Sequence, residues 1–278
     1  MATENALLAI LVEKINNDTL VLPTLPAIAL KVRKAADDPD INLNAMAEVI
    51  GQDPSLSARM VKISNSAYLS RAVKITSAQQ AVTRIGLVQI KNISTALAME
   101  QLFVSKNEII KRYMNRMWEE TIEVVANSLA ILQMYTKQTK DRTLKIESMM
   151  LTALIHNIGA LPILTEAERH PDAFANATFL DAAIVKMSGK IGASIMTEWG
   201  FDQEFIDIAQ HWNNLTVNTE AVSYLDIVRL GAVLSGKLDE QKGAVAKAAL
   251  AKGIVSDLAD LQSDEFKELR ANGKQIFM

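Results

Sequence analysis

The chain contains no cysteine, which removes disulfides, zinc–thiolate sites and cysteine nucleophiles together and excludes a disulfide-stapled secreted fold. Glycine and proline are scarce, 11 and 6 in 278 residues, so the breaks that a turn-rich sheet protein needs are few. Positive charge is not in excess. A formal net charge of −3 and a pI near 5.7 give no general attraction to nucleic acid or anionic lipid, though a local basic patch is compatible with both values. No segment has about 18 uninterrupted apolar residues. The N-terminus, with Glu4 ahead of a short apolar run, lacks the basic start and small-residue cleavage site of a secretory signal. A cytoplasmic protein with no nucleic-acid or membrane partner is expected. Phosphate loops of the GxGxxG or GxxxxGK[ST] type, a GxSxG elbow and an HExxH helix are all missing.

Hydrophobic residues make up 49% and charged residues 22%, the balance of a folded globular protein. Between the few breaks, apolar residues recur at three- and four-residue spacing, which predicts helices nearly throughout and an all-α fold. Asp53-Pro54 supplies an N-cap and a first-turn proline, after which Leu56, Met60 and Ile63 share a face. Ser77 caps a stripe of Ala78, Ala81, Val82 and Ile85 that stops at Gly86. A long helix is expected over 108–138, followed by helices near 144–156, 179–187, 190–199, 203–212, 219–234 and 244–258 and a final one over 261–274. The natural seam is Val104–Glu108, dividing the chain into 1–106 and 107–278.

Four landmarks stand in order between Leu22 and Ile93: the prolines Pro23 and Pro26, then Asp53, Pro54, Leu56 and Arg59, then Asn65-Ser66-Ala67, then Ile75, Ser77, Ala81 and Gly86. At that spacing they resemble the N-terminal half of HDOD domains, and the resemblance extends over about residues 20–236. Proline fixes the backbone and glycine ends helices, so most landmarks have structural readings. Asn65 and Ser66 differ. Polar side chains that follow an apolar helical face need partners if buried, or offer hydrogen bonds to a ligand or partner if exposed.

HDOD domains are similar to the metal-dependent phosphohydrolases of the HD superfamily, and the resemblance implies an N-terminal helical subdomain packed on a degenerate HD-like one. In such hydrolases, histidines and carboxylates hold a divalent ion that lowers the pKa of bound water. The resemblance places the His-Asp pair on His156-Asn157 within LIHNIGALPIL, so an amide replaces a carboxylate. An upstream histidine falls on Glu120, the histidine before the IGA-like turn on Ser188, the later histidine pair on His211-Trp212, and the closing aspartate on Ala232. Asp226 lies six residues before Ala232, on a different helical face. An amide oxygen cannot neutralise a divalent ion or bridge two of them.

No cofactor is therefore expected. If a divalent metal such as Mn, Fe, Zn or Mg is held, its ligands by this resemblance are His156, His211 and Glu120. His156 shares a stripe with Met149 and Ala153 and reads as a buried neutral histidine. His211 reads as packing or interface, and His170 before Pro171 as a loop residue. The adjacent acids Glu119-Glu120 point in different directions and make no catalytic pair. The leading expectation is a non-catalytic bacterial signalling scaffold that binds a signalling protein or small effector. Two alternatives stay open: a divergent HD-type phosphohydrolase acting on nucleotides or cyclic nucleotides, and a nucleotide sensor using Asn157, Ser188 or Lys190 without turnover.

Overall fold

Helices begin where the sequence caps them. In the computed structural model, which describes residues 2–17, 19–69, 72–169 and 177–277, the Asp53 carboxylate accepts from Leu56 N at 2.9 Å and Ser77 Oγ from Gln80 N at 3.2 Å. Ser223 and Asp226 cap each other reciprocally. The helices are α1 (Ala2–Asn16), α2 (Ala27–Ala36), α3 (Leu43–Gly51), α4 (Pro54–Ser64), α5 (Ala78–Ile85), α6 (Leu87–Ala98) and α7 (Glu108–Thr139). They continue with α8 (Ile146–Ile155), α9 (Ala160–Arg169), α10 (Ala177–Glu198), α11 (Gln203–His211), α12 (Tyr224–Leu234), α13 (Lys242–Ala251) and α14 (Asp264–Gln275). No strand occurs among the described residues, so the fold is all-α as the periodicity predicts. His170 and Pro171 lie outside the described residues.

The chain divides into two compact units, one formed by 1–24, 102–121 and 155–218, the other by 25–101, 122–154 and 219–278. In the second unit, α2 packs on α3 and α6, and α5 packs on α3 and α4. Met46, Ile50, Met60, Ile63, Ile90 and Ile93 are fully buried there, each worth about 1.5–3 kcal/mol relative to exposure. Arg59 of the DPxLxxR landmark donates to Leu97 O at 2.7 Å and pairs with Glu100, which joins α4 to the end of α6. The last helix, α14, is bound to the same unit. Its Arg270 and Lys274 pair with Glu123, Tyr68 donates to Leu269 O at 2.6 Å, and Gly273 lies against Ala126.

In the first unit, α9, α11 and α1 all pack on α10. Lys14 reaches the buried Glu166 at 2.6 Å, and Trp199 donates to Pro23 O at 3.0 Å. Several elements differ from the sequence expectation: the helix expected at 219–234 begins at Tyr224, and that expected at 244–258 ends at Ala251. The helices expected at 179–187 and 190–199 are one, α10, because Gly189 does not break the helix but lets it approach α11. No helix is expected from sequence over 160–169, yet α9 forms there, with Pro162 in its first turn, where its missing N–H has no intrahelical role. Ile146–Arg169 is long and apolar enough to cross a membrane, yet 83% of the apolar window is buried within the protein, and the stretch is two helices interrupted by a turn at 156–159.

Candidate functional site

The turn His156-Asn157-Ile158-Gly159 links α8 to α9 through successive tight hydrogen bonds, Ile158 N to Ile155 O at 3.0 Å and Ala160 N to Asn157 O at 3.1 Å. Its position against α10 depends on glycine. A Cβ on Gly159 would lie 1.9 Å from Ser188 O and 2.5 Å from Gly192 N, and one on Gly189 would lie 2.5 Å from Gln210 O of α11. Gly192 is less tightly held: a Cβ there would lie 3.2 Å from both the Cβ and the carbonyl oxygen of Ala209. Three glycines thus form a seam that brings the turn, α10 and α11 to backbone contact, and α11 delivers His211 and Trp212 at its end.

His156 is 2% exposed. Its ring meets that of Trp212 edge-on, with centroids 4.7 Å apart and planes at 87°, a geometry in which positive ring edge meets negative ring face and adds about 0.5–1.5 kcal/mol beyond burial. Asn157 is half-buried, and its Oδ1 is buried without a hydrogen-bond partner among the described residues; the Oγ of Ser188, a residue 1% exposed, is in the same state. Unsatisfied groups of this kind cost about 1–3 kcal/mol each. Glu120, half-exposed, lies 3.8 Å from Arg116 one turn earlier on α7, and His211 is half-buried.

His156, Asn157, Ser188 and His211-Trp212 therefore belong to one packed region of the first unit. Lys190 is exposed and lines a separate groove of about 930 Å³ beside Lys14 and Glu198. Glu120 belongs to the first unit as well, whereas Ala232, Asn65, Ser66 and Asp226 belong to the second. Ala232 is fully buried. Asn65 closes α4: its Nδ2 donates to Ile75 O at 2.7 Å and its Oδ1 accepts from Ile75 N at 3.0 Å, so both ends of the amide bind the Ile75 backbone. Ser66 Oγ donates to Ile63 O at 2.7 Å. Asp226 is bound by Lys252 at 2.8 Å and by its capping box.

The residues present do not fit a divalent ion. Metals of this type require several charged or imidazole donors converging within about 2.0–2.6 Å of the ion, whereas the orphaned donors here are a neutral amide oxygen and a hydroxyl. His156 presents its ring to Trp212, and Glu120 pairs with Arg116. Among the described residues, no group of three or more His, Asp or Glu side chains converges. The glycine seam and the Trp212 partner were not legible as a site from sequence. The only signal was the recurrence of glycine at 159, 189 and 192 on otherwise helical stretches.

An all-helical protein is the class that this fold defines. Residues 22–215 match the HDOD domain, and the chain belongs to the HDOD family. A solved structure from Shewanella amazonensis SB2B, provisionally named a metal-dependent phosphohydrolase, is 39% identical with a TM-score of 0.94 over 100% of both chains. An HDOD domain protein of unknown function from Geobacter sulfurreducens shares the fold at 19% identity and a TM-score of 0.63, over 97% of this chain and 98% of that one. An uncharacterised protein of Treponema pallidum (strain Nichols) is 24% identical over 192 residues, 69% of this chain and 35% of that protein, so the match spans about a third of that relative's length.

Proposed function

We propose that the protein is a non-catalytic regulatory module that acts in signal transduction by binding a signalling protein or small effector. The observation that carries this reading is the state of the His156-Asn157 pair. The position that by resemblance would supply anionic charge to a metal carries an amide whose Oδ1 has no partner among the described residues, and the neighbouring histidine packs on Trp212. Without a carboxylate at that place, the pair offers no anionic ligand to hold a divalent ion, and only a held ion can lower the pKa of bound water. Binding partners are then selected by the helical surface, and the signal is a bias between packed states. The phosphohydrolase name of the Shewanella relative favours the alternative, hydrolysis of nucleotides or cyclic nucleotides at His156, His211 and Glu120.

Metal retention separates the two. Protein purified without chelator or affinity tag is incubated with manganese, iron or zinc, desalted, and assayed for metal. The scaffold reading expects far less than one ion per chain, unchanged by His156→Ala or His211→Ala. Near-stoichiometric metal that is lost in both variants overturns it.

A further inference from the structure

A second concavity, of about 430 Å³, lies in the second unit where α7 ends. Its walls carry Lys137, Lys140, Arg142 and Lys145 against one carboxylate, Glu265, with Tyr68 beside them. That balance opposes the whole chain, in which 32 acidic residues outnumber 29 basic ones. The four cations are not equally engaged. Lys137 pairs with Glu265 at 2.7 Å, and Lys145 donates to Arg142 O at 2.6 Å. The side chains of Lys140 and Arg142, both exposed, make no ion pair or hydrogen bond among the described residues.

The segment that presents them is fixed. Asp141 accepts from Tyr135 OH at 3.0 Å and from Thr143 N at 2.8 Å, and Lys145 N donates to Tyr224 OH at 2.7 Å. Asp141 itself is turned to those partners and is not part of the groove wall. Lys140, the first residue past α7, has φ +63°, a left-handed conformation that suits glycine and that residues with a Cβ rarely adopt. A cation stands where glycine is the usual choice. Gln133, another wall residue, has a buried Oε1 with no hydrogen-bond partner among the described residues.

We propose that this groove binds a small ligand of the pyrophosphate or polyphosphate-ester class, with Lys140 and Arg142 as its main contacts. The guanidinium of Arg142 offers a planar fork that matches phosphate oxygens, and Lys140 and Lys145 add point charges. A ligand with two or more negative charges is needed to offset the surplus of cations. The volume falls in the range of about 300–1,000 Å³ that small molecules occupy. The inference goes beyond the scaffold reading and does not depend on it, since the groove contains none of the residues at the His156 turn.

Inorganic pyrophosphate is the probe, titrated into the full chain by calorimetry at constant ionic strength. Saturable binding with one site per chain is expected. Lys140→Gly with Arg142→Ala should weaken it roughly tenfold or more by removing the charge-assisted contacts; glycine is chosen because it suits the left-handed backbone, and circular dichroism checks the fold. Lys242→Ala with Lys247→Ala removes the same charge from the exposed face of α13 and should leave affinity unchanged. No saturable binding by the wild type, no weakening in the groove variant, or equal weakening in both variants each overturns the proposal.

Discussion

Adding one methyl group at Gly159 tests the glycine seam directly. The Cβ of alanine would meet the Ser188 carbonyl oxygen at 1.9 Å, the Gly192 nitrogen at 2.5 Å and the Ser188 carbonyl carbon at 2.8 Å. All three are backbone atoms of α10, so no side chain can rotate away and the turn must separate from the helix. Overpacking a core typically costs about 1–3 kcal/mol and more where nothing yields, which places Gly159→Ala at about 3 kcal/mol or above. Gly243 in α13 is the control, because a Cβ there meets nothing within 4 Å. Gly243→Ala should stabilise by about 0.5–1 kcal/mol, the usual gain over glycine in a helix. Urea unfolding gives both values, and a fall in Tm of roughly 6–10 °C should accompany the first. If Gly159→Ala unfolds within about 1 kcal/mol of the wild type, the turn is not in backbone contact with α10 and the account of the site fails.

Gly231 of α12 faces Ser128 of α7, and an added Cβ would lie 2.4 Å from Ser128 Oγ and 3.1 Å from Val124 O. Gly231→Ala should cost about 1–3 kcal/mol. Ser128→Ala alone should be near-neutral or stabilising, because that Oγ has no hydrogen-bond partner among the described residues, and the double variant should recover part of the loss with a coupling of about 0.5–3 kcal/mol. Strict additivity in urea unfolding would refute the contact. At Glu123, burial raises the carboxyl's affinity for a proton, but hydrogen bonds and charge from Lys274 and Arg270 outweigh it and hold the pKa below 4.5. A depressed folded pKa contributes stability that is present above the unfolded value and lost as pH falls through the folded one. The stability gap between wild type and Glu123→Gln should be full at about pH 6 and close below about pH 4.5; a gap constant down to about pH 3 would exclude the α14 ion pairs as its source.

Much of the fold was legible because its signals are local. Asp53-Pro54 and Ser77 act through residues two or three positions away, so their caps were readable in one dimension. The same local reading splits α10 at Gly189, whereas that glycine sits inside the helix to admit Gln210 O, and it leaves 160–169 without a helix although Pro162, in the first turn of α9, lacks only an N–H that has no intrahelical role. Asn65 and Ser66 show the limit for polar residues. Sequence marked them as needing partners, and the partners are the backbones of Ile75 and Ile63.

By itself the sequence determined that the chain is helical and where most helices start, because residue identity and 3.6-residue periodicity fix these without reference to distant contacts; that Asn157 stands where a carboxylate is usual is what the HDOD resemblance implies. Tertiary structure alone decided that His156 faces Trp212, that glycines 159, 189 and 192 form one seam, and that Tyr68, the 137–145 segment and Glu265 meet in one cationic groove. Each of those facts joins residues far apart along the chain. Their proximity follows from how closely two helix backbones can approach and which side chains are left between them, a property of packing that no linear pattern encodes.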